Sequence, residues 1–186
     1  MMGEQHKKHS RREHLNDFHL NVAGEYVYDG ALYACQSDDA KQRRLKRAVL
    51  GMAAILIVAV IAGGCIPAPG MQNCFYVLLP YLGEFLGAAS VIWALAKLGT
   101  DWSAVREYNY QKSVAVLPVR TAVTAVFSLL GIVCELIFFF VNDHAGQTFF
   151  ALLYVLLKLT ALLSALVLRA EIMQAEWDKL PKKDNS

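Results

Sequence analysis

The sequence predicts an all-α polytopic membrane protein, with four transmembrane helices arranged as two antiparallel hairpins and short interfacial helices beside them. The first observation is composition: 56% of the 186 residues are hydrophobic and 18% are charged, whereas soluble domains are about a quarter charged. The second is that the apolar residues fall into four runs, each long enough at about 1.5 Å per residue to cross a hydrocarbon core of ~30 Å. The third is that the basic-rich connections all fall on one side of these runs, as the positive-inside rule requires.

The transmembrane domain is predicted over residues 37–170, with spans at about 47–66, 75–97, 119–141 and 148–169. Five lysines and arginines between Lys41 and Arg47 precede the first span, so the N-terminus is predicted to lie in the cytoplasm. Both turns on the other side lack lysine and arginine. The C-terminal tail, 171–186, is therefore also predicted to be cytoplasmic, and we expect the chain to reside in the plasma membrane.

The cytoplasmic N-terminal segment, 1–36, opens with a tail that holds four histidines, two lysines and two arginines before residue 20. We expect this tail to be solvated and to contact anionic lipid headgroups at the cytoplasmic face of the bilayer. An Asp-Gly pair between short β-prone runs predicts a hairpin over 25–34, with a plain turn as the alternative. Short amphipathic segments over 101–112 and 172–180 are predicted to lie on the inner membrane surface.

Three ionisable residues fall deep inside the predicted spans, namely Glu84, Glu135 and Lys158. Such side chains are costly in a bilayer and face the bundle interior or a water-filled cavity. Helical rise places Glu84 and Lys158 roughly 14 Å from the outer ends of their spans and Glu135 roughly 9 Å. Lys158 is therefore predicted to pair with Glu84, Glu135 or both, and Tyr81 and Tyr154 to complete the hydrogen bonding. Two carboxylates and one ammonium do not balance, so one carboxyl is expected to hold a proton.

A polar stripe on the third span consists of Thr121, Thr124 and Ser128, which recur at helical spacing before Glu135. Two interpretations of this stripe stay open. The hydroxyl groups could line a path from the cytoplasm to the buried carboxylate. Alternatively, the small residues let neighbouring helices approach closely and the hydroxyls bond across the interface.

Cysteine usage and motif content restrict the chemistry. No two of the four cysteines form a C-x-x-C pair, so we expect no metal site, and no cofactor motif occurs in the short connections. Cys65 and Cys74 flank the first outer turn, and two alternatives stay open for them: a disulfide if the turn is extracytoplasmic, or two free thiols at helix ends. No arrangement of nucleophile and base is recognisable, so we do not expect an enzyme.

Two functions remain from the sequence. The first is a non-enzymatic scaffold, accessory or regulatory subunit of a membrane complex, with a membrane protein or a second copy of the chain as its partner. The second is a small proton- or cation-coupled transporter that uses the Glu84, Glu135 and Lys158 cluster. The net charge of +2 is too small to indicate nucleic acid, and the lipid bilayer is the one partner that composition requires.

Overall fold

The computed structural model describes residues 18–20, 26–28, 30–35, 39–99, 101–142 and 147–180. The predicted basic tail before residue 18 and the last six residues lie outside these ranges. Four helices in the described part are long and apolar enough to cross a membrane, which confirms the four predicted long helices. They are α1 (Asp39–Cys65), α3 (Phe75–Leu98), α5 (Leu117–Val141) and α6 (Thr148–Gln174).

Local sequence explains where these helices begin and end. Gly99 follows α3 with a φ of 71°, a left-handed conformation that glycine adopts readily and that stops a helix. Pro118 lies in the first turn of α5, where its missing N–H costs nothing. Between α1 and α3, two prolines break the chain and leave room for the short helix α2 (Pro69–Asn73), whose Pro69 and Gly70 are buried.

The four long helices pack as one bundle. Helix α5 lies between α3 and α6 and packs extensively on both, while α1 packs along α6 and more sparsely on α3. The buried seams carry many small or β-branched residues, such as Ala53, Val91 and Ala165, which allow close helix approach. Large apolar side chains such as Val58 and Leu86 point outward and are 64% and 68% exposed, as expected of positions that face lipid.

A small antiparallel sheet covers one end of the bundle, at the ends of α3 and α6 and the start of α5. Its central strand, β3 (Leu32–Cys35), pairs with β4 (Val105–Arg106) on one side and with β5 (Trp177–Lys179) on the other. Helix α4 (Glu107–Lys112) follows β4 directly. The sheet joins three segments that are far apart in the chain, so local sequence patterns did not predict it.

Aromatic side chains hold this sheet against the bundle. The rings of Tyr33 and Tyr110 stack with their centroids 4.3 Å apart. Trp102 packs at 5.8 Å from Trp177 and is only 4% exposed, and the ammonium of Lys46 lies 5.6 Å from its ring. Aromatic packing among Tyr33, Tyr110, Trp102 and Trp177 therefore joins the sheet to the end of the bundle.

Two sequence predictions are wrong in this region, and a third stays a prediction. The 25–34 hairpin is not formed, because β2 (Tyr26–Tyr28) pairs with β1 (Phe18–Leu20) whereas β3 belongs to the other sheet. The helix predicted over 101–112 begins only at Glu107, because the preceding residues extend to pair with β3. In both cases, pairing between distant segments outweighs the local pattern. The stretch 172–180 ends α6 and forms β5, and its location on the inner membrane surface stays a prediction.

Candidate functional site

An ion pair between Glu84 on α3 and Lys158 on α6 lies at the centre of the bundle. The Nζ atom of Lys158 donates to Oε2 of Glu84, and the two residues are 1% and 0% exposed. The hydroxyl of Ser128 on α5 lies 2.7 Å from Oε1 of the same carboxylate. Both oxygens of Glu84 therefore accept hydrogen bonds, and the pair joins three of the four long helices.

Two tyrosine rings flank the ammonium of Lys158. Its Nζ atom lies 4.5 Å from the ring centroid of Tyr81 and 5.0 Å from that of Tyr154, distances at which a cation is attracted to an aromatic face. Tyr81 also reaches the fourth long helix, because a Cβ added at Gly64 of α1 would overlap its hydroxyl. The site is thus enclosed by side chains from α3, α5 and α6 and closed by backbone from α1.

Glu135 lies outside this ion pair. The structure pairs Lys158 with Glu84, which is one of the alternatives that the sequence left open, and the ion pairs of the described residues do not include Glu135. Oε1 of Glu135 accepts a hydrogen bond of 3.4 Å from the backbone N–H of Gly70 on α2. Oε2 of Glu135 and the hydroxyl of Tyr154 are buried and find no hydrogen-bond partner within the described ranges.

The polar stripe on α5 divides into two parts. The hydroxyls of Thr121 and Thr124 donate at 2.9 Å to the carbonyls of Leu117 and Arg120, four residues earlier on their own helix. Of the three stripe residues, Ser128 is the one with a hydrogen bond to another helix in the structure. All three are 0% exposed, so this arrangement agrees with the packing interpretation of the stripe.

Close contact between α3 and α5 supports the same interpretation. A Cβ added at Gly87 would lie 2.6 Å from Oγ1 of Thr124 and 3.3 Å from its Cα atom. A Cβ added at Gly83 would lie 2.6 Å from the ring of Phe127. Glycines at these positions therefore bring the two helices near enough for Ser128 to reach Glu84.

Sequence reasoning missed two contacts of this region. The backbone N–H of Gly70, in the first outer turn, donates to Glu135. Arg120 near the start of α5 donates at 2.6 Å to the carbonyl of Ser90 on α3, a contact that satisfies an arginine close to the end of the span. Neither contact has a local signature, because each depends on where a neighbouring helix places a backbone group.

Of the two alternatives for Cys65 and Cys74, the structure has no disulfide between them. Cys65 ends α1 and Cys74 directly precedes α3, and the short helix α2 intervenes. Spacing in the sequence could not supply the Cβ geometry that a disulfide requires. Among the described residues, no group of three or more histidine, cysteine or acidic side chains could hold a metal ion.

Comparison with known proteins adds no family. No family model, no curated protein and no solved structure matches this chain. The site itself is an enclosed, hydrogen-bonded ion pair beside Glu135, a buried carboxyl that belongs to no ion pair of the described residues.

Proposed function

We propose that this chain is a non-enzymatic integral membrane protein that acts as a small scaffold or accessory subunit of a membrane complex. The observation that carries the proposal is the enclosed ion pair of Glu84 and Lys158. Both oxygens of the carboxylate accept hydrogen bonds, from Lys158 and from Ser128. Such an arrangement fixes three helices in one packing and engages both carboxylate oxygens with side chains of the bundle itself.

A transport site has different requirements. Ionisable groups that carry ions or protons across a membrane face a pathway that water or substrate can enter. Glu84 is 0% exposed and Lys158 is 1% exposed, and the neighbouring hydroxyls of Thr121 and Thr124 are directed to their own helix backbone. These features support a structural role for the pair.

The proposal includes an orientation and a set of partners. We place both termini in the cytoplasm of a plasma-membrane protein, since exposed basic residues such as Lys41 and Arg44 cluster at the start of α1 and would meet anionic lipid headgroups there. The protein partner is another membrane protein or a second copy of the chain, in contact with the lipid-facing helix surfaces.

Two measurements on the full chain test this proposal. Chemical crosslinking in native membranes, followed by purification and mass spectrometry, should recover a defined hetero-complex or homo-oligomer. The purified chain in proteoliposomes should carry no proton, sodium or potassium flux above that of protein-free vesicles. A monomeric chain whose ion flux is abolished by Glu84→Gln, but is unaffected by the exposed control substitution Glu176→Gln, would overturn the scaffold.

A second candidate is a proton- or cation-coupled transporter. The observation that favours it is Glu135, whose Oε2 has no hydrogen-bond partner in the described structure although the side chain is fully buried. The same flux assay tests this candidate, because coupled transport through this carboxyl would be lost in Glu135→Gln. Equal flux in wild type and Glu135→Gln would exclude Glu135 as the coupling group.

A further inference from the structure

The buried carboxylate of Glu135 has an incomplete environment. The residue is 0% exposed, and its Oε1 receives one hydrogen bond of 3.4 Å from the N–H of Gly70. Its Oε2 and the hydroxyl of Tyr154 are both buried without a hydrogen-bond partner in the described ranges. Tyr154 approaches α5 one helical turn before Glu135, since its hydroxyl would lie 3.9 Å from a Cβ added at Gly131. Two polar atoms therefore lack partners in the same part of the bundle.

The charges around Glu135 do not cancel. Helix α6 contributes Lys158 and Tyr154, but the ammonium of Lys158 is already paired with Glu84 of α3. Among the residues that the structure describes, the other titratable side chains near Glu135 and Tyr154 are thiols and phenols, and α2 contributes no ionisable side chain. They are Tyr76 and Tyr81 of α3, Cys74 before it and Cys134 of α5. Within the described residues, an ionised Glu135 would thus be one uncompensated negative charge inside the bundle.

Such a charge is strongly unfavourable in a low-dielectric interior, where a carboxylate must be paired or neutralised. A buried water molecule could satisfy the hydrogen bonds of Oε2 and of the Tyr154 hydroxyl, but it would not change the net charge. We propose that Oε2 of Glu135 and the hydroxyl of Tyr154 form a binding site for one unit of positive charge, supplied by a proton on the carboxyl or by one small monovalent cation.

Helix α2 covers this site. Its Gly70 lies so close that an added Cβ would overlap Oε2 of Glu135 and lie 3.1 Å from Val77. Gly70 and Val77 therefore limit the space beside Oε2 to a proton or a small ion. The site shares Tyr154 with the surroundings of the Glu84 and Lys158 ion pair but uses a different carboxyl, and it does not depend on the chain being a scaffold or a transporter.

Infrared difference spectroscopy on the full chain in lipid nanodiscs tests the site. On acidification from alkaline pH, wild type should show the carbonyl stretch of a protonated, buried carboxyl that exchanges slowly in heavy water. Glu135→Gln should lose this band, whereas Glu176→Gln, which removes an exposed carboxyl, should keep it. Tyr154→Phe, which preserves the ring, should keep the band but shift it, because the hydrogen-bonding environment of the carboxyl changes.

The source of the charge is distinguished by repeating the titration in sodium and in choline buffers of equal ionic strength. A proton site predicts the same band in both buffers and a melting temperature that does not depend on sodium. A cation site predicts that sodium suppresses the band and raises the melting temperature in wild type but not in Glu135→Gln. A band that persists in Glu135→Gln, or a wild type with neither a band nor a sodium effect, would overturn the proposal. A site detected without ion flux would leave it standing while excluding transport.

Discussion

Removal of the buried ammonium should expose how much the central ion pair contributes to stability. Lys158→Met takes away the charge and leaves an unbranched, flexible side chain that fills much of the same space. Glu84 then keeps its hydrogen bond from Ser128 but stays fully enclosed without a counter-charge. Breaking a buried pair on one side costs about 3–5 kcal/mol. Hydrogen bonds between helices in membranes contribute about 0.6 kcal/mol on average, so the unpaired charge dominates the effect.

This free energy converts into a measurable shift in melting temperature. A chain of this size loses about 2–4 °C for each kcal/mol of stability, so a loss of about 3 kcal/mol corresponds to about 6–12 °C. The double variant Glu84→Gln and Lys158→Met removes both charges and should recover most of the loss, because no uncompensated ion remains. The diagnostic result is whether the double variant melts at a higher temperature than Lys158→Met alone.

The assay is thermal unfolding of the purified chain in detergent, followed by circular dichroism. Lys112→Met is the matched control, since its ammonium is exposed and lies 5.2 Å from the ring of Tyr108, and it should change the melting temperature far less. If the Lys158 and Lys112 variants melt alike, or if the double variant is no more stable than Lys158→Met alone, the pairing does not stabilise the bundle.

Two further predictions concern helix packing and pH. Gly87→Ala should lower the melting temperature, because overpacking against Thr124 costs about 1–3 kcal/mol. Gly51→Ala is the control: its added Cβ meets no atom within 4 Å, so it should raise the melting temperature slightly. Equal effects of the two substitutions would contradict the close approach of α3 and α5. The hydroxyl and N–H of Ser103 lie 2.6 and 3.0 Å from Oδ1 of Asp101, and these two hydrogen bonds lower the pKa of the carboxyl. They therefore stabilise the fold at pH values above the unfolded pKa of about 4. This stabilisation is lost as the pH falls through the folded pKa. Melting curves of Ser103→Ala should depend less on acid than those of wild type, and an unchanged dependence would refute this.

The long helices could be predicted from sequence because their signal is local. Each apolar run exceeds the length that a bilayer requires, and Gly99 and Pro118 mark boundaries that the structure has at the same places. The orientation of the spans and their arrangement as two antiparallel hairpins stay predictions, because both depend on charges outside the described residues as well as on charges within those residues.

The sheet could not be predicted, for the opposite reason. Strand β3 pairs with segments about 70 and 145 residues further along the chain, and short strands have no distinctive pattern by themselves. The Asp-Gly pair at residues 29 and 30 favours a tight turn locally, but the flanking strands find other partners. Tertiary pairing therefore decides the outcome in the parts of the chain outside the long helices.

Part of the candidate site could be predicted from the sequence. Rise per residue placed Glu84 and Lys158 at similar depth, and the structure pairs them. The rise per residue could not reveal that Glu135 faces the backbone of Gly70, because that contact depends on how α2 folds over the bundle. Side-chain spacing on a helix gives depth and face, whereas the partner is set by the packing of the neighbouring helices.

The most direct test of the account asks whether the central ion pair lies in a dry seam. In a chain whose four cysteines are replaced, Ser128→Cys puts a thiol of similar size beside Glu84, at a position that is 0% exposed. A charged, membrane-impermeant thiol reagent, added to each side of the membrane in turn, should leave this thiol unmodified from both sides, while it labels the exposed Ser103→Cys from one side. Rapid labelling of Ser128→Cys from either side would show a water-filled path to the pair and contradict its role as an enclosed structural contact.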